Sequence, residues 1–320
     1  MQNHQLSVRF WGVRGSIACP GPHTVRYGGN TPCVELQIGQ QRLIFDGGTG
    51  LRVLGKHLLS CMPLEAHLFF SHTHWDHIQG FPFFEPAFKE GNCFHIYGAI
   101  DRGGKSIQQR LHDQMLHPNF PVPLQIMRGN LKFYDLAIGQ SVLLDDVLVE
   151  TAPLNHPGGS IGYRVNWKGL AVSYITDTEH FSDRLDEQVL WLARSADIMI
   201  YDATYTDEEY HAVQGSKVGW GHSTWQEATK LARAAGVKQL ILFHHDPDHN
   251  DDFLDRVERQ AKRAFANSFL AREGLVIQLQ PQSGQSGETD LEQNGKGEDS
   301  TLYPERDQCN FPRSVVPMPQ

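Results

Sequence analysis

The chain has 320 residues, of which 40% are apolar and 20% charged, and its net charge is −9. That length can bury a large core, and the acidic balance argues against a general nucleic-acid binder, which carries a basic face. The polar Met1–Leu6 start has no signal-like apolar run, no stretch of about 18 apolar residues could cross a bilayer, and the five cysteines form no C-x-x-C pair, so a soluble cytoplasmic protein with free thiols is expected.

In chain order, strands are expected at Leu6–Phe10, Cys33–Ile38, Arg42–Phe45, Ala66–Phe70 and Phe94–Tyr97. Turn residues Gly28-Gly29-Asn30 and Asp46-Gly47-Gly48-Thr49-Gly50 punctuate them, and Leu51–Leu59 is a helix candidate. Residues 101–130 lack a clear period and read as an insertion bordering the site. Further strands are expected at Val147–Thr151, Ile161–Asn166, Ala171–Ile175, Ile198–Tyr201, Gln239–Phe243 and Leu275–Leu279. Helices are expected from about Asp183 to Arg194, after Gly221-His222 where Thr224 and Glu227 suit a capping box, and from about Asp252 to Ala271. His249, Asp251 and Asp252 read as caps of that last helix. Two batches of strands, each followed by helices, imply an α/β fold with two sheets face to face and helices outside. The hydrolase domain is expected over 1–280. Residues 281–320, with seven acidic against three basic residues, read as a disordered polar tail.

The chemistry concentrates in Ser71-His72-Thr73-His74-Trp75-Asp76-His77, which follows the apolar run Leu68-Phe69-Phe70. Core packing gives no reason for three His and an Asp so close together, whereas imidazole and carboxylate are the donors of a catalytic divalent-metal site. Three later residues stand at the ends of expected strands: His156, Asp177 and His244, with His245 as the rival of His244 because adjacent strand residues face opposite ways. Together they complete the donors for two ions that share a bridging carboxylate and a bridging hydroxide. Asp177 is the expected bridge, with His72, His74 and His156 on one ion and Asp76, His77 and His244 on the other. Zinc is the first choice of metal, with manganese and iron as alternatives. His222, before a helix start, and Asp202, at a strand end, read as a catalytic pair beside Asp76. Asp46 reads as a brace for a ligating His.

The H-x-H-x-D-H run, the His156 segment followed by Gly162-Tyr163-Arg164, Asp177, Asp202-Ala203-Thr204, Gly221-His222-Ser223-Thr224 and the Leu240–His244 strand end resemble the metallo-β-lactamase superfamily, within it the ribonuclease Z and cyclic-nucleotide phosphodiesterase-like group. The resemblance covers roughly residues 6 to 280 and implies an αββα sandwich with a two-zinc site at the sheet ends. It also implies that His222 and its acidic partner assist phosphodiester cleavage. Ribonuclease Z carries a protruding basic arm that grips tRNA, and no such arm is evident between His77 and His156. The expectation is therefore a dinuclear phosphodiesterase acting on a small phosphodiester such as a cyclic nucleotide, with tRNA 3′-end processing, or hydrolysis of another ester or thioester, as the alternatives. No strong nucleic-acid binding and no membrane association are expected, and a homodimer is allowed.

Overall fold

A computed structural model of the chain describes residues 5–101, 103–281 and 301–302. The expected tail, with Cys309, lies outside the described residues apart from Pro281 and the two residues Thr301 and Leu302.

Two sheets form the centre. The first contains β1 (Leu6–Gly12), β2 (Cys33–Ile38), β3 (Gln41–Phe45), β4 (Glu65–Phe69), β5 (Cys93–Ala99), β6 (Asn130–Leu136) and β14 (Val276–Leu279), in the order β14-β1-β2-β3-β4-β5-β6. The second contains β7 (Ser141–Leu144), β8 (Val147–Leu154), β9 (Ser160–Trp167), β10 (Leu170–Ile175), β11 (Ile198–Asp202), β12 (Gln239–Phe243) and β13 (Ser268–Leu270), with β15 (Thr301–Leu302) beside β7. Strands β3 to β6 run parallel, as do β10 to β13. Parallel strands bring their carboxyl ends to one rim, where loops can carry a site on rigid supports.

Period-two alternation explains the central layer. In β1, Leu6, Val8 and Phe10 are fully buried between the sheets, and Ser7 and Arg9 are less so. Phe45, Phe69, Tyr97 and Tyr163 form a run of ring contacts there, Phe69 and Tyr97 stacking with centroids 4.5 Å apart. Each such side chain contributes roughly 1.5–3 kcal/mol by leaving water. The tyrosine hydroxyls need partners in that layer, and Tyr163 donates to the Phe70 carbonyl at 2.7 Å.

Helices cover both outer faces. Leu51, Leu54 and Leu58 of α1 (Thr49–Leu58) bury against the first sheet, together with Ile107 and Leu111 of α3 (Ile107–Asp113), which follows α2 (Trp75–Ile78). Val189 and Leu192 of α4 (Glu187–Ala193), with Leu231 of α6 (Trp225–Ala234) and Leu254 of α7 (Asp251–Ala264), cover the second sheet. A one-turn α5 (Asp207–Tyr210) precedes α6. The αββα arrangement follows.

Several expected boundaries are corrected. The helix expected from Asp183 starts at Glu187, because Asp186 accepts the Gln188 and Val189 backbone N–H groups and caps it there. The last helix ends at Ala264, and Ser268–Leu270 leaves it to pair with β12. Its cap is Asn250, not the residues around it. Asp251 instead accepts the backbone N–H groups of Arg26 and Tyr27, and His249 pairs with Glu209 at 2.7 Å. Thr224 caps α6, while Glu227 bonds Lys230 in place of closing a capping box. The region 101–130 contains α3, and β6 and β7 after it have no counterpart among the expected strands.

One core group makes stability depend on pH. His67 of β4 is buried and stacks on His95 with centroids 4.7 Å apart. Burial, helped by the His95 charge, lowers its pKa from 6.5 to about 3. Between those values the unfolded chain binds more protons than the folded one, so stability falls as pH falls, by up to about 1.4 kcal/mol per pH unit. His67→Phe is expected to flatten the acid limb of a denaturation-midpoint profile between pH 6.5 and 4.

Candidate metal and catalytic site

The loops after six strand ends meet at one rim: Asp46 follows β3, the His72–His77 run follows β4, His156 follows β8, Asp177 follows β10, Asp202 ends β11 and His244 follows β12. Every sequence-predicted site residue lies in this cluster. His72, His74 and His156 present donor atoms within 4.8 Å of one another, and so do Asp76, His77, Asp177 and His244.

Asp177 stands between the two sets. Its Oδ1 lies 3.8 Å from both His72 Nε2 and His156 Nε2, whereas its Oδ2 lies 3.1 Å from His77 Nε2 and 3.4 Å from His244 Nε2. Asp76 Oδ2 joins the second set at 3.2 Å from both His77 Nε2 and His244 Nε2. The neighbouring histidines point in different directions. His244 faces the cluster, while His245 Nε2 turns away to the Ala271 carbonyl at 2.8 Å.

The outer ring nitrogens are held from behind, which orients the inner ones. His77 Nδ1 meets Asp46 Oδ2 at 2.8 Å, His156 Nδ1 meets the Gly221 carbonyl at 2.8 Å, His244 Nδ1 meets the Thr204 hydroxyl at 3.0 Å, and His72 Nδ1 meets the Ser71 hydroxyl at 3.1 Å. Asp46 is itself fixed by Tyr174, whose hydroxyl donates at 2.8 Å, and by Ser71. The brace role expected of Asp46 therefore has its geometry. Ser71, Thr204 and Tyr174 were missed, since a lone hydroxyl near a strand end carries no signal in sequence. Ser16 was missed too, although its backbone N–H donates to Asp76 Oδ2 at 2.8 Å.

The backbone is strained where it delivers these groups. Asp46, Asp177 and His244 have φ of 60°, 56° and 63°. Left-handed backbone costs a non-glycine residue of order 1 kcal/mol or more and gathers at functional sites. Gly15 is required by close approach, because a Cβ there would sit 2.4 Å from the His244 ring.

The donor set fits divalent metal. His72 Nε2 is buried with no hydrogen-bond partner among the described residues, a costly state for a core unless an ion is bound, while His77 Nε2 faces the Asp76 and Asp177 carboxylates. Burial holds His74 and His156 below the ordinary imidazole value, and burial with the His77 charge does so for His72, so the neutral form that a metal needs is favoured; His156 Nε2 and His74 Nδ1 lie 3.1 Å apart. The imidazoles outweigh burial at Asp76 and Asp177 and hold both carboxyls well below the usual range. His77 is the exception: despite burial, Asp177, Asp76 and Asp46 raise it, so it must release a proton to ligate.

Beside the donors lies the His222–Asp202 pair. His222 Nδ1 is 2.8 Å from Asp202 Oδ2, and Asp202 Oδ1 accepts from the Thr204 hydroxyl at 2.7 Å. Burial opposes the imidazolium, but the Asp202 charge and hydrogen bond push His222 up to about 9. Glu179, not singled out in the sequence, shapes this loop by accepting the Gly219 and Gly221 N–H groups at 2.6 and 2.8 Å.

Residues 41–245 match the family model described as the beta-lactamase superfamily domain. The chain belongs to the β-lactamase superfamily. As a member it is a metal-dependent hydrolase, and divalent metal ions are its cofactors. Among relatives, it is 26% identical to the ribonuclease Z of Picrophilus torridus, over 86% of this chain and 96% of that one. It is 22% identical to the ribonuclease Z of Archaeoglobus fulgidus, over 86% and 98%. These relatives place this superfamily member with the phosphodiester hydrolases of the ribonuclease Z group. The fold is shared with the metallo-beta-lactamase fold protein YhfI of Bacillus subtilis, at 19% identity and a TM-score of 0.65, covering 86% of this chain and 99% of that one. No helix of the described residues is long and apolar enough to cross a membrane.

Asp46→Asn tests the brace. Loss of such an outer partner typically weakens metal affinity 10–100-fold. The variant is expected to give up metal to a chelator at correspondingly lower concentration, measured by chelator competition, with the fold retained by circular dichroism.

Proposed function

We propose that the chain is a dinuclear zinc phosphodiesterase of the ribonuclease Z kind, cleaving a phosphodiester near an RNA 3′ end as in tRNA maturation. The carrying observation is the Asp177 carboxylate, one oxygen toward each donor set, beside an acid–base pair. In this reading His72, His74 and His156 hold one ion, Asp76, His77 and His244 the other, and Asp177 both. When bound, the two ions supply positive charge to the phosphoryl oxygens and acidify a nucleophilic water. Zinc suits nitrogen and oxygen donors at close quarters, with manganese and iron as alternatives.

The chain's own residues supply the rest. Asp202 holds His222 through Nδ1, so Nε2 is the atom offered to substrate, and the Asp202 charge favours the protonated ring. A protonated imidazole can give that proton to the departing alkoxide oxygen. Ser16 N–H and His244 hold Asp76 so that its Oδ2 stays in the cluster.

The RNA substrate rests on relatives named ribonuclease Z that match along nearly their whole length. A small phosphodiester, such as a cyclic nucleotide, is the second reading. It is favoured by the net charge of −9 and by the segment between His77 and His156. There, among the described residues, Lys105 pairs with Asp113 at 2.8 Å and Arg110 faces Asp101 at 3.9 Å, so these two cations have acidic neighbours that compete with a tRNA backbone. Cys19, Cys33, Cys61 and Cys93 form no disulfide, which supports a cytoplasmic setting.

The test is hydrolysis by the zinc-loaded protein of precursor tRNA with a 3′ trailer, 2′,3′- and 3′,5′-cyclic nucleotides, and bis-p-nitrophenyl phosphate. Cleavage at the trailer junction supports the first reading, and turnover of cyclic nucleotides alone the second. Inertness toward all of them removes both.

A further inference from the structure

A cavity of about 160 Å³ opens beside His72 and Thr73, in the angle between the two sheets. Its walls include Phe70, Ile107, Leu154 and Ile161, and none of these side chains has a part in the cluster of histidines and carboxylates. Two polar groups interrupt the apolar lining. Arg110 Nε and Ser160 Oγ are both buried atoms with no hydrogen-bond partner among the described residues. An unpaired buried donor costs about 1–3 kcal/mol, more when the group is charged, so a ligand that reached either atom from the cavity would gain by pairing it.

The third polar group decides what kind of ligand fits. Asp101 also lines the cavity, with Oδ2 3.9 Å from Arg110 Nε, too far for a hydrogen bond. Its Oδ1 is occupied by the Lys105 N–H at 2.8 Å. The cavity thus presents a donor and an acceptor side by side over an apolar floor. A bare phosphate or carboxylate would be repelled by Asp101, and a purely apolar group would leave Arg110 Nε without a hydrogen bond. A planar heterocycle with an acceptor and a donor on one edge satisfies both, which is the hydrogen-bonding pattern of a nucleobase. Thr73, Asp101 and Arg110 continue into an open groove of about 580 Å³ that is also lined by Trp75, Phe83 and Phe120. Trp75 is 79% exposed although its neighbours His74 and Asp76 belong to the cluster, and Phe83 is 53% exposed. Exposed rings along a groove are stacking platforms for unpaired bases.

We propose that this cavity is a base-binding subsite, which receives an unpaired nucleobase next to the phosphodiester to be cut, with Arg110, Asp101 and Ser160 reading its edge. The inference rests on the phosphodiester reading and adds that the substrate is a nucleotide recognised through its base. An RNA end or a cyclic nucleotide meets that requirement, and a sugar or lipid phosphodiester does not.

The experiment compares adenosine 5′-monophosphate and cytidine 5′-monophosphate with ribose 5-phosphate, which lacks only the base, by calorimetric titration of the metal-loaded protein. At least one nucleotide is expected to bind about tenfold or more tighter than the sugar phosphate, the gain of one well-placed hydrogen bond to a charged group. Arg110→Ala removes the donor. Ile138→Trp fills the mouth from a side chain that is 64% exposed, so folding is not at stake. Both variants are expected to bring the nucleotide down to the affinity of ribose 5-phosphate, without changing the affinity for ribose 5-phosphate. Equal binding of all three compounds by the unaltered protein, or a preference that survives both variants, overturns the subsite. Turnover of bis-p-nitrophenyl phosphate by the unaltered protein is scored separately. Its loss would count against the phosphodiester reading, and its presence with no preference for a base would count against the subsite alone.

Discussion

Asp177→Ala is expected to lose both metal ions and to reduce phosphodiesterase activity to background. Asp177 is fully buried, and its two oxygens face different histidine sets, so a single substitution removes an anionic donor from each. What remains is a group of neutral or partly protonated imidazoles around two would-be cations, with Asp76 as the only carboxylate among the proposed ligands. Charge neutralisation of two divalent ions then fails, and the strained backbone at residue 177 has no ligand left to position. Asp177→Asn separates charge from shape: it keeps the size and should still lose at least one ion. Metal stoichiometry after gel filtration, by elemental analysis, is the measurement. Retention of two tightly held ions by Asp177→Ala would show that this carboxylate is not the bridge.

His222→Ala is expected to keep both ions and lower kcat by roughly 10²–10⁴-fold, the usual contribution of a general acid. The loss should depend on the leaving group. A p-nitrophenolate departs without a proton and should be affected least, whereas a nucleoside alkoxide needs one and should be affected most. That dependence separates proton donation from mere support of the site, which would lower both alike. Asp202→Asn should produce a smaller loss of the same pattern, because His222 then loses the partner that pushes it up to about 9. If His222→Ala loses metal, the imidazole is a ligand and the acid must be sought elsewhere.

The donor run His72–His77 was legible because it is contiguous: a turn after an apolar strand can gather four candidate donors without help from the rest of the chain. His156, Asp177 and His244 were legible only as polar residues at expected strand ends, each weak alone. Their meaning came from the resemblance and, for Asp177 and His244, from the parallel strands β10, β11 and β12, which carry their ends to the same rim. Segment boundaries were less legible. The stretch Phe265–Ala271 has the apolar content of a helix end, yet Ser268–Leu270 gains more by completing the hydrogen bonds of β12. The strands β6 and β7 were missed because all but one of the β6 residues stay at least partly exposed and β7 is only four residues long.

Local pattern by itself determined the layered α/β architecture, the acidic character of the chain and the identity of most candidate ligands, because alternation and clustered donors are properties of neighbours in sequence. Only the tertiary structure decided that His244 rather than His245 faces inward, that Asp177 divides its oxygens between two sets, and that Asp46, Tyr174, Thr204 and Ser16 hold them in place. Direction and second partners are set by side chains many tens of residues apart, and no short-range signal carries them.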